Sequence, residues 1–521
     1  MIWFTQHDRE HAREQQIRAS LSSNNQLIYA GSLLHRAAQL FPHRCAIIVP
    51  PDEYYTYERL NKHASQISHM LEQHGLVPRM RVALLMENSY LFSVAYHAAW
   101  QAGAVVIPLN VFLHEQELIH IIQESQPHIL IISASLVHKV DTIRDHIPQY
   151  ITDQELNEIL HTTTKQPLYQ VKTLAAEEPS VILYTSGTTG MPKGVVLTSF
   201  AIMSNVTQAL TRFAFTPDER VLCALPLFHS FTQNTCIWSS TACGATVIIV
   251  PKIMRSALLA GIACNPTIVI GIPGLFALFC RMHNITFPTV RYFISGGDAL
   301  PHNIRRFFAL RFGRVLCNGY GLTEAGPIIS AFLDDYIMPT HTVGPPVINL
   351  SIDIRDVTDG IGTLWISGPN LMDRYYHAPE ATAAVMRQGW LNTGDLVTRD
   401  NFGNISICGR EKDLIVHKGI KIYPQEIETV LSNHPRVFAS AIIGITDPED
   451  GEYPVAYVQP LDAQQLDTEE LRTFCTQYLA SYKIPKKFFV LEQLPLTSTG
   501  KIDKKALRAT YTPLYKNKES R

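Results

Sequence analysis

Short runs of consecutive apolar residues recur along the chain: Arg81–Met86, Ala104–Leu109, His128–Ser133, Ser180–Tyr184 and Ala245–Val250. Runs of this length predict strands buried on both faces, and the stretches between them read as helices. Alternation of that kind predicts an α/β fold of parallel sheets covered by helices, with ligand sites beyond the carboxyl ends of the strands. Near Gly409-Arg410 the pattern changes. A short strand (KIY), a helix opened by Pro424 (PQEIETVLSN) and a strand near VFASAIIGI form a compact unit. Proline suits the first helical turn, where an N–H would have no partner. The remaining roughly 110 residues are enough to fold alone, so a division into 1–410 and 411–521 is expected.

Composition narrows the class. A chain of 521 residues exceeds a single core. Its 46% hydrophobic and 17% charged residues are ordinary for a soluble globular protein. A formal net charge of −2 gives no global attraction to nucleic acid or anionic membrane. No apolar run reaches the ~18 residues of a membrane span; the best, Ala98–Leu109, contains Gln101 and Pro108. The start of the chain is charged after four residues and lacks a secretory apolar core. Nine cysteines without a C-x-x-C pair read as reduced, mostly buried thiols of a cytoplasmic protein. Peripheral membrane contact and oligomeric state stay open.

The chemistry begins at YTSGTTGMPKGV, Tyr184–Val195. It is not the G-x-x-x-x-G-K-[ST] phosphate loop: Pro192 stands where the second glycine belongs, and Gly194 follows Lys193. It still has a phosphate loop's parts. Gly187 lets backbone N–H groups turn toward an anion, while Thr185, Ser186, Thr188 and Thr189 add neutral donors. Lys193 adds a positive charge, and Pro192 blocks a helix, so a flap beyond a strand end is expected.

TSGTTGMPKGV resembles the phosphate loop of the adenylate-forming superfamily, which includes acyl-CoA synthetases, luciferases and peptide-synthetase adenylation domains. Further motifs follow the family's order over nearly the whole chain, from Tyr55–Leu60 to Ser498–Arg508. The resemblance implies a large N-terminal domain of helix-covered sheets with a distorted β-barrel subdomain, and a small α+β C-terminal domain on a hinge at Lys412. In LPLFHSF, His229 would lie near the acyl carboxylate. SGGDALP, with Gly297 and Asp298, would contact adenine. In NGYGLTEAGP, Asn318 and Gly319 would meet the base edge, Tyr320 would stack on it, and Thr323 would touch the α-phosphate. Glu324, with Thr185, would ligate Mg²⁺, a hard cation that prefers oxygen and keeps substrate phosphates as ligands. Asp395 in GWLNTGD and Arg410 would hold the ribose. Lys501 in STGKID would be the catalytic lysine, and Gly419 would let the pantetheine arm pass.

These parts suit one reaction. A carboxylate is a poor electrophile; attack on the α-phosphate of ATP makes an acyl-adenylate and releases pyrophosphate, and a thiol then displaces AMP. Catalysis of the first step is positioning and charge stabilisation. Lys501 stands 501 − 193 = 308 positions from Lys193, on the other expected domain, so it can arrive and leave.

No acid occurs from Leu225 through Val250, and a buried substrate ammonium there would be costly. TQNTCIWSSTACGATVIIV and GIPGLFALF (Gly271–Phe279) instead suit the wall around an aliphatic tail. The resemblance is strongest to bacterial fatty-acyl-CoA synthetases. Only 521 − 501 = 20 residues follow Lys501, so the thiol is expected from outside, with coenzyme A favoured. From Lys483 to Arg521 ten Lys/Arg face three acids, which suits the phosphates of CoA. Aryl acids and an acyl-carrier-protein acceptor are the alternatives. A non-enzymatic AMP-binding protein would be expected to have lost Lys501, Glu324 or Asp395. Ser199, Thr363 and Arg374 depart from common family residues.

Overall fold

The computed structural model describes residues 6–23, 26–162, 167–185, 191–333, 342–447, 451–461, 466–497 and 501–515. Two large sheets dominate the first part of the chain. One has seven strands, in the order Arg374–Tyr375, Lys193–Thr198, Pro179–Thr185, Val105–Pro108, Arg81–Leu85, Ile129–Ile132 and Tyr150–Thr152. The other has eight: Ile328–Phe332, Leu316–Gly321, Tyr292–Ser295, Ile268–Gly271, Arg220–Cys223, Thr246–Ile249, Cys45–Val49 and Glu53–Thr56. Their centres are parallel; their edges are antiparallel except at Tyr150–Thr152, which pairs parallel with Ile129–Ile132.

The apolar runs behave as double-sided strands should. Along Arg81–Leu85, Val82 and Leu84 join the main core, while Ala83 and Leu85 join a second core on the opposite face. The helices Tyr57–Gln73, Tyr90–Gln101 and Ser199–Phe213 contribute to the main core. Each starts on a hydroxyl cap: Thr56, Ser89 and Thr198 accept from the backbone N–H three residues on. Ser199 has its own task, since its hydroxyl accepts from Ala30 N–H at 2.7 Å. Ala98–Leu109 is a buried helix end and strand, and among the described residues no helix is long and apolar enough to cross a membrane.

A six-stranded antiparallel sheet follows, running Thr342–Gly344, Ile405–Arg410, Trp390–Arg399, Ile361–Ser367, Ser351–Thr358, with Met386–Arg387 beside Trp390–Arg399. This is the subdomain expected as a barrel, and its strand path is open. Last comes a five-stranded sheet built from Ile415–His417, Ile420–Ile422, Val437–Asp447, Gly451–Pro460 and Lys487–Val490, packed with the helices Pro424–Ser432, Thr468–Thr476 and Lys504–Tyr515. None of the nine cysteines is in a disulfide, but only Cys223, Cys236, Cys317 and Cys475 are buried. The other five are half-buried, which corrects the expectation of mostly buried thiols; Cys45, Cys243, Cys264 and Cys280 lie at or near the ends of strands and helices, where one side is open.

His97 lies 3% exposed among the rings of Tyr96 and Trp100, and burial pushes its pKa down to about 3. Between pH 6.5 and that value the unfolded chain takes up a proton that the folded chain refuses. Stability is therefore full above pH 6.5 and falls on acidification. This single group lowers stability by about 2 kcal/mol from pH 8 to pH 5, at about 1.36 kcal/mol per pH unit. Urea unfolding at the two pH values measures it; in His97→Leu that increment is expected to vanish.

Candidate active site

The glycine-rich segment turns out to be the connection of a hairpin. Pro179–Thr185 and Lys193–Thr198 pair antiparallel, with Thr185 opposite Lys193 and Tyr184 opposite Gly194. Ser186, Gly187, Thr188 and Thr189 lie outside the described residues. Lys193 begins a strand, and its Nζ sits 5.4 Å from the centroid of the Tyr375 ring. Gly194 has no room for a side chain: a Cβ would come within 2.9 Å of Ile182 and 3.1 Å of Tyr184. That closeness lets the edge strand Arg374–Tyr375 lie alongside, with Tyr376 N–H donating to Gly194 O at 2.7 Å.

Tyr375 ties this edge to the TEAGP turn, because its hydroxyl donates to Glu324 Oε1 at 2.8 Å. The turn itself is clamped from below by buried amides. Asn205 donates to Ile328 O and accepts from Ile328 N–H, while Asn370 donates to Ala325 O at 2.6 Å. Asn234 and Gln208 complete the cluster by bonding Asn205 and Asn370. A fully paired buried network of this kind fixes backbone position. Thr323 shares a hydrogen bond with Ser230 at 3.1 Å, which joins the turn to the LPLFHSF segment. Asn88 holds that segment in turn, donating to Leu225 O and accepting from Leu227 N–H.

Asp395 and Arg410 are cross-strand partners. Arg410 Nε lies 3.0 Å from Asp395 Oδ1, and Tyr320 donates its hydroxyl to Asp395 Oδ2 at 2.5 Å. The Asp395 side chain is 3% exposed, so both of its oxygens are already engaged. Burial, with the Asp395 charge beside it, pushes the Tyr320 phenol well above the ordinary tyrosine range. Asn318 is buried and donates its amide to Thr342 O at 3.1 Å, so its nitrogen is turned into the protein rather than presented at a base edge. Gly297 has φ +82° and Gly319 is close to Ser295 O; both belong to neighbouring strand ends, where glycine keeps the backbone approachable.

Lys501 enters this cluster from the last folding unit. Its backbone is held by Thr497, which donates its N–H to Lys501 O and accepts the Lys501 N–H. Burial holds the ammonium below the usual lysine range; Asp298 and Asp395 favour its charge, while Arg410 and Lys412 oppose it. His229 faces the same ammonium. Burial, reinforced by Lys501, pushes the His229 pKa down to about 4, so the ring is neutral at pH 7. Its Nδ1 accepts from Phe231 N–H at 3.3 Å, which leaves Nε2 as the protonated donor.

Two sequence expectations fail. In Thr232–Val250, Cys236, Ile237 and Trp238 pack into the main core, and Trp238 Nε1 donates to Tyr96. Leu275, Phe276 and Phe279 likewise belong to a core with Phe293 and Phe308. Neither run forms an exposed acyl wall; core and cavity linings share one composition, and packing alone separates them. Phe231 and Ile272 are apolar groups that lie against Gly296 and Gly297. Gly419, with φ +80°, and Lys418 form the exposed turn of the Ile415–Ile422 hairpin, and Lys412 is exposed in the short turn Glu411–Asp413. Sequence reading also missed Tyr375, Ser230 and the amide cluster. Asn205 and Gln208 are two of several buried polar residues in the helix Ser199–Phe213, so nothing local sets them apart.

Among the described residues no group of three or more His, Cys, Asp or Glu is arranged to hold a metal ion. A single carboxylate such as Glu324 is of the donor type that Mg²⁺ arriving with a polyphosphate would take, since such ions need few protein ligands and keep phosphate oxygens. Tyr375→Phe would free Glu324 of a charge-assisted hydrogen bond. A roughly ten- to hundredfold loss in kcat/KM for ATP-Mg²⁺ is expected, from the ~1.5–3 kcal/mol of a hydrogen bond to a charged group; titration of Mg²⁺ at fixed ATP checks it.

The site thus brings together a clamped acidic turn, a buried carboxylate paired with a guanidinium, and a lysine supplied by a second folding unit. The AMP-binding enzyme family matches residues 34–376, and the AMP-binding enzyme C-terminal domain matches residues 426–501. The chain therefore belongs to the AMP-binding enzyme family, within the adenylate-forming superfamily, and is an AMP-forming acid–thiol ligase. A feruloyl-CoA synthase from Amycolatopsis sp is 31% identical over 493 residues, covering 92% of this chain and 99% of its own. A long-chain-fatty-acid–CoA ligase from Mycobacterium tuberculosis is 31% identical over 505 residues, covering 92% and 98%. ATP-bound MatB from Rhodopseudomonas palustris superposes with a TM-score of 0.86 at 28% identity, over 93% of this chain and 99% of that one.

Proposed function

We propose that the protein activates a medium- or long-chain fatty acid as its acyl-adenylate and transfers the acyl group to coenzyme A. The observation that carries this reading is the convergence of Lys501, neutral His229 and the Asp395–Arg410 pair beside an uncharged floor of Phe231 and Ile272. In this reading His229 Nε2–H orients the acid's carboxylate, and Lys501 balances charge as the acyl–phosphate bond forms. Thr323 meets the α-phosphate, Thr185 to Thr189 with Lys193 retain the departing phosphates, and Asp395 with Arg410 takes the ribose hydroxyls in place of Tyr320. Tyr320 lies along the base, between Gly297-Asp298 and Asn318-Gly319. Mg²⁺ held by Glu324 and Thr185 supplies charge neutralisation at the phosphates.

The second half-reaction needs Lys501 gone and a thiol admitted. We assign residues 1–410 and 411–521 as two domains that rotate about Lys412, with the Lys418-Gly419 turn then lining the thiol path. Domain motions of this kind often limit turnover. Lys412→Pro, by fixing φ, is expected to slow thioester formation at least tenfold more than pyrophosphate release; equal slowing would remove the hinge.

A flat aryl acid is the second reading, favoured by the Phe231 ring lying against Gly296. Pyrophosphate release and thioester formation over a panel of fatty and aryl acids, with and without CoA, separates the two. Turnover confined to cinnamates or benzoates sinks the fatty-acid reading, and pyrophosphate without thioester points to a carrier-protein thiol.

A further inference from the structure

The helix His302–Phe312 meets the last folding unit at the start of the strand Val437–Asp447. Asn303, on the helix His302–Phe312, is 7% exposed and donates its side-chain amide to the carbonyls of both Val437 and Phe438, each at 3.0 Å. Its own oxygen accepts Ile304 N–H at 2.8 Å, which fixes the orientation of the amide. The two carbonyls need such a donor. Val437 stands opposite Pro460, which has no N–H to give, and Phe438 is the extra residue of a bulge without a cross-strand partner. The bulge also aims Phe438 outward, against the core of the large sheet unit, with the Arg281 guanidinium 4.3 Å from its ring centroid.

The contact has a rigid route to the chemistry. Val437 is 1% exposed in the small unit's core together with Ile427 and Leu431 of the helix Pro424–Ser432. Glu428 on that helix accepts from Ile442 N–H and binds Lys504 at 2.7 Å. Lys504 is three residues from Lys501.

We propose that Asn303 and Phe438 form a latch that holds the small domain in its adenylating orientation and so positions Lys501. This rests on the two-orientation reading above. In any orientation that carries Lys501 away, the Val437 and Phe438 carbonyls lose their donor and the Phe438 ring loses its apolar seat and its cation. The latch thus favours one orientation, and weakening it shifts the population toward the other by the lost differential interaction. Both are positioning residues, since neither meets the reacting atoms.

The test joins a conformational readout to the separated half-reactions. A dye pair placed at the exposed Tyr54 and Tyr478 reports the domain distance in the substrate-free protein. Single-turnover pyrophosphate release reports adenylation, and CoA consumption with synthetic acyl-adenylate reports thioester formation. For Phe438→Ala we expect a second distance population, adenylation slower by about tenfold, and thioester formation unchanged or faster. Asn303→Ala should show the same signs at smaller amplitude, and Phe438→Tyr should restore adenylation. An unchanged distance distribution, or equal loss in both half-reactions, overturns the latch. If Phe438→Ala does not fold, Asn303→Ala carries the same test. Failure of every acid in the panel would sink the proposed function, whereas the dye distances judge the latch independently.

Discussion

Lys501→Ala is expected to slow acyl-adenylate formation by about 10²–10³-fold, the usual loss when one well-placed charge stabiliser is removed. The second half-reaction, started from synthetic acyl-adenylate and CoA, should proceed at an unchanged rate. The asymmetry follows from where the side chain sits. Lys501 faces Asp298, Asp395 and His229 in the orientation described, whereas displacement of AMP by a thiol develops no new charge that a residue on the departed domain can meet. The pH profile adds a second check. The ammonium is the working form, and burial depresses its pKa, so adenylation should fall on the alkaline side at a pH below the ordinary lysine value of about 10.4. Lys501→Arg keeps the charge and should move that limb upward, at reduced rate because the planar guanidinium is not a point charge. Equal loss in both half-reactions would remove Lys501 from the chemical step.

Asp395→Ala should have the next largest effect, on binding and on stability together. The carboxylate is the common acceptor for Tyr320 and Arg410. Its removal leaves the Tyr320 hydroxyl buried without that acceptor and Arg410 without its counter-charge. Arg410 is 46% exposed, so water screens part of that loss, and about 2 kcal/mol of stability is expected to go. Thermal unfolding should register it. Nucleotide discrimination is the specific readout. If Asp395 takes the ribose hydroxyls, the unmodified protein should prefer ATP over 2′-deoxy-ATP, kcat/KM for ATP should fall by about 10²-fold in the variant, and the preference should disappear. A variant that is destabilised yet still discriminates would leave Asp395 a structural residue. Tyr320→Phe isolates the other partner, since it deletes one hydrogen bond and keeps the ring.

Much of the site was legible because its parts are local. TSGTTGMPKGV, LPLFHSF and NGYGLTEAGP are continuous segments, each carrying in one loop or turn the residue types that a polyphosphate or carboxylate requires. The helix opened by Pro424 and its flanking strands were legible too, since the proline and the apolar runs beside it are local signals. What escaped were relations between segments. Tyr375 reaches Glu324 only because a two-residue edge strand lies against Lys193–Thr198. The amides of Asn205, Gln208, Asn234 and Asn370 come from three separate elements, and nothing in any one of them announces a clamp. Cys236, Ile237 and Trp238 were read as an acyl wall because apolar composition does not distinguish a core from a pocket lining.

The sequence by itself determined the sheet-and-helix class, the adenylate-forming family and the residue types available to hold phosphate and ribose, for these depend on local periodicity and short-range spacing. Only the tertiary structure decided that Asp395 is already shared by Tyr320 and Arg410, that Lys501 stands beside neutral His229, and that the Asn303 amide meets the carbonyls of Val437 and Phe438. Each is set by cross-strand register and domain packing between residues distant in the chain. Their energies depend on burial and partner geometry, and neither quantity exists until the chain has folded.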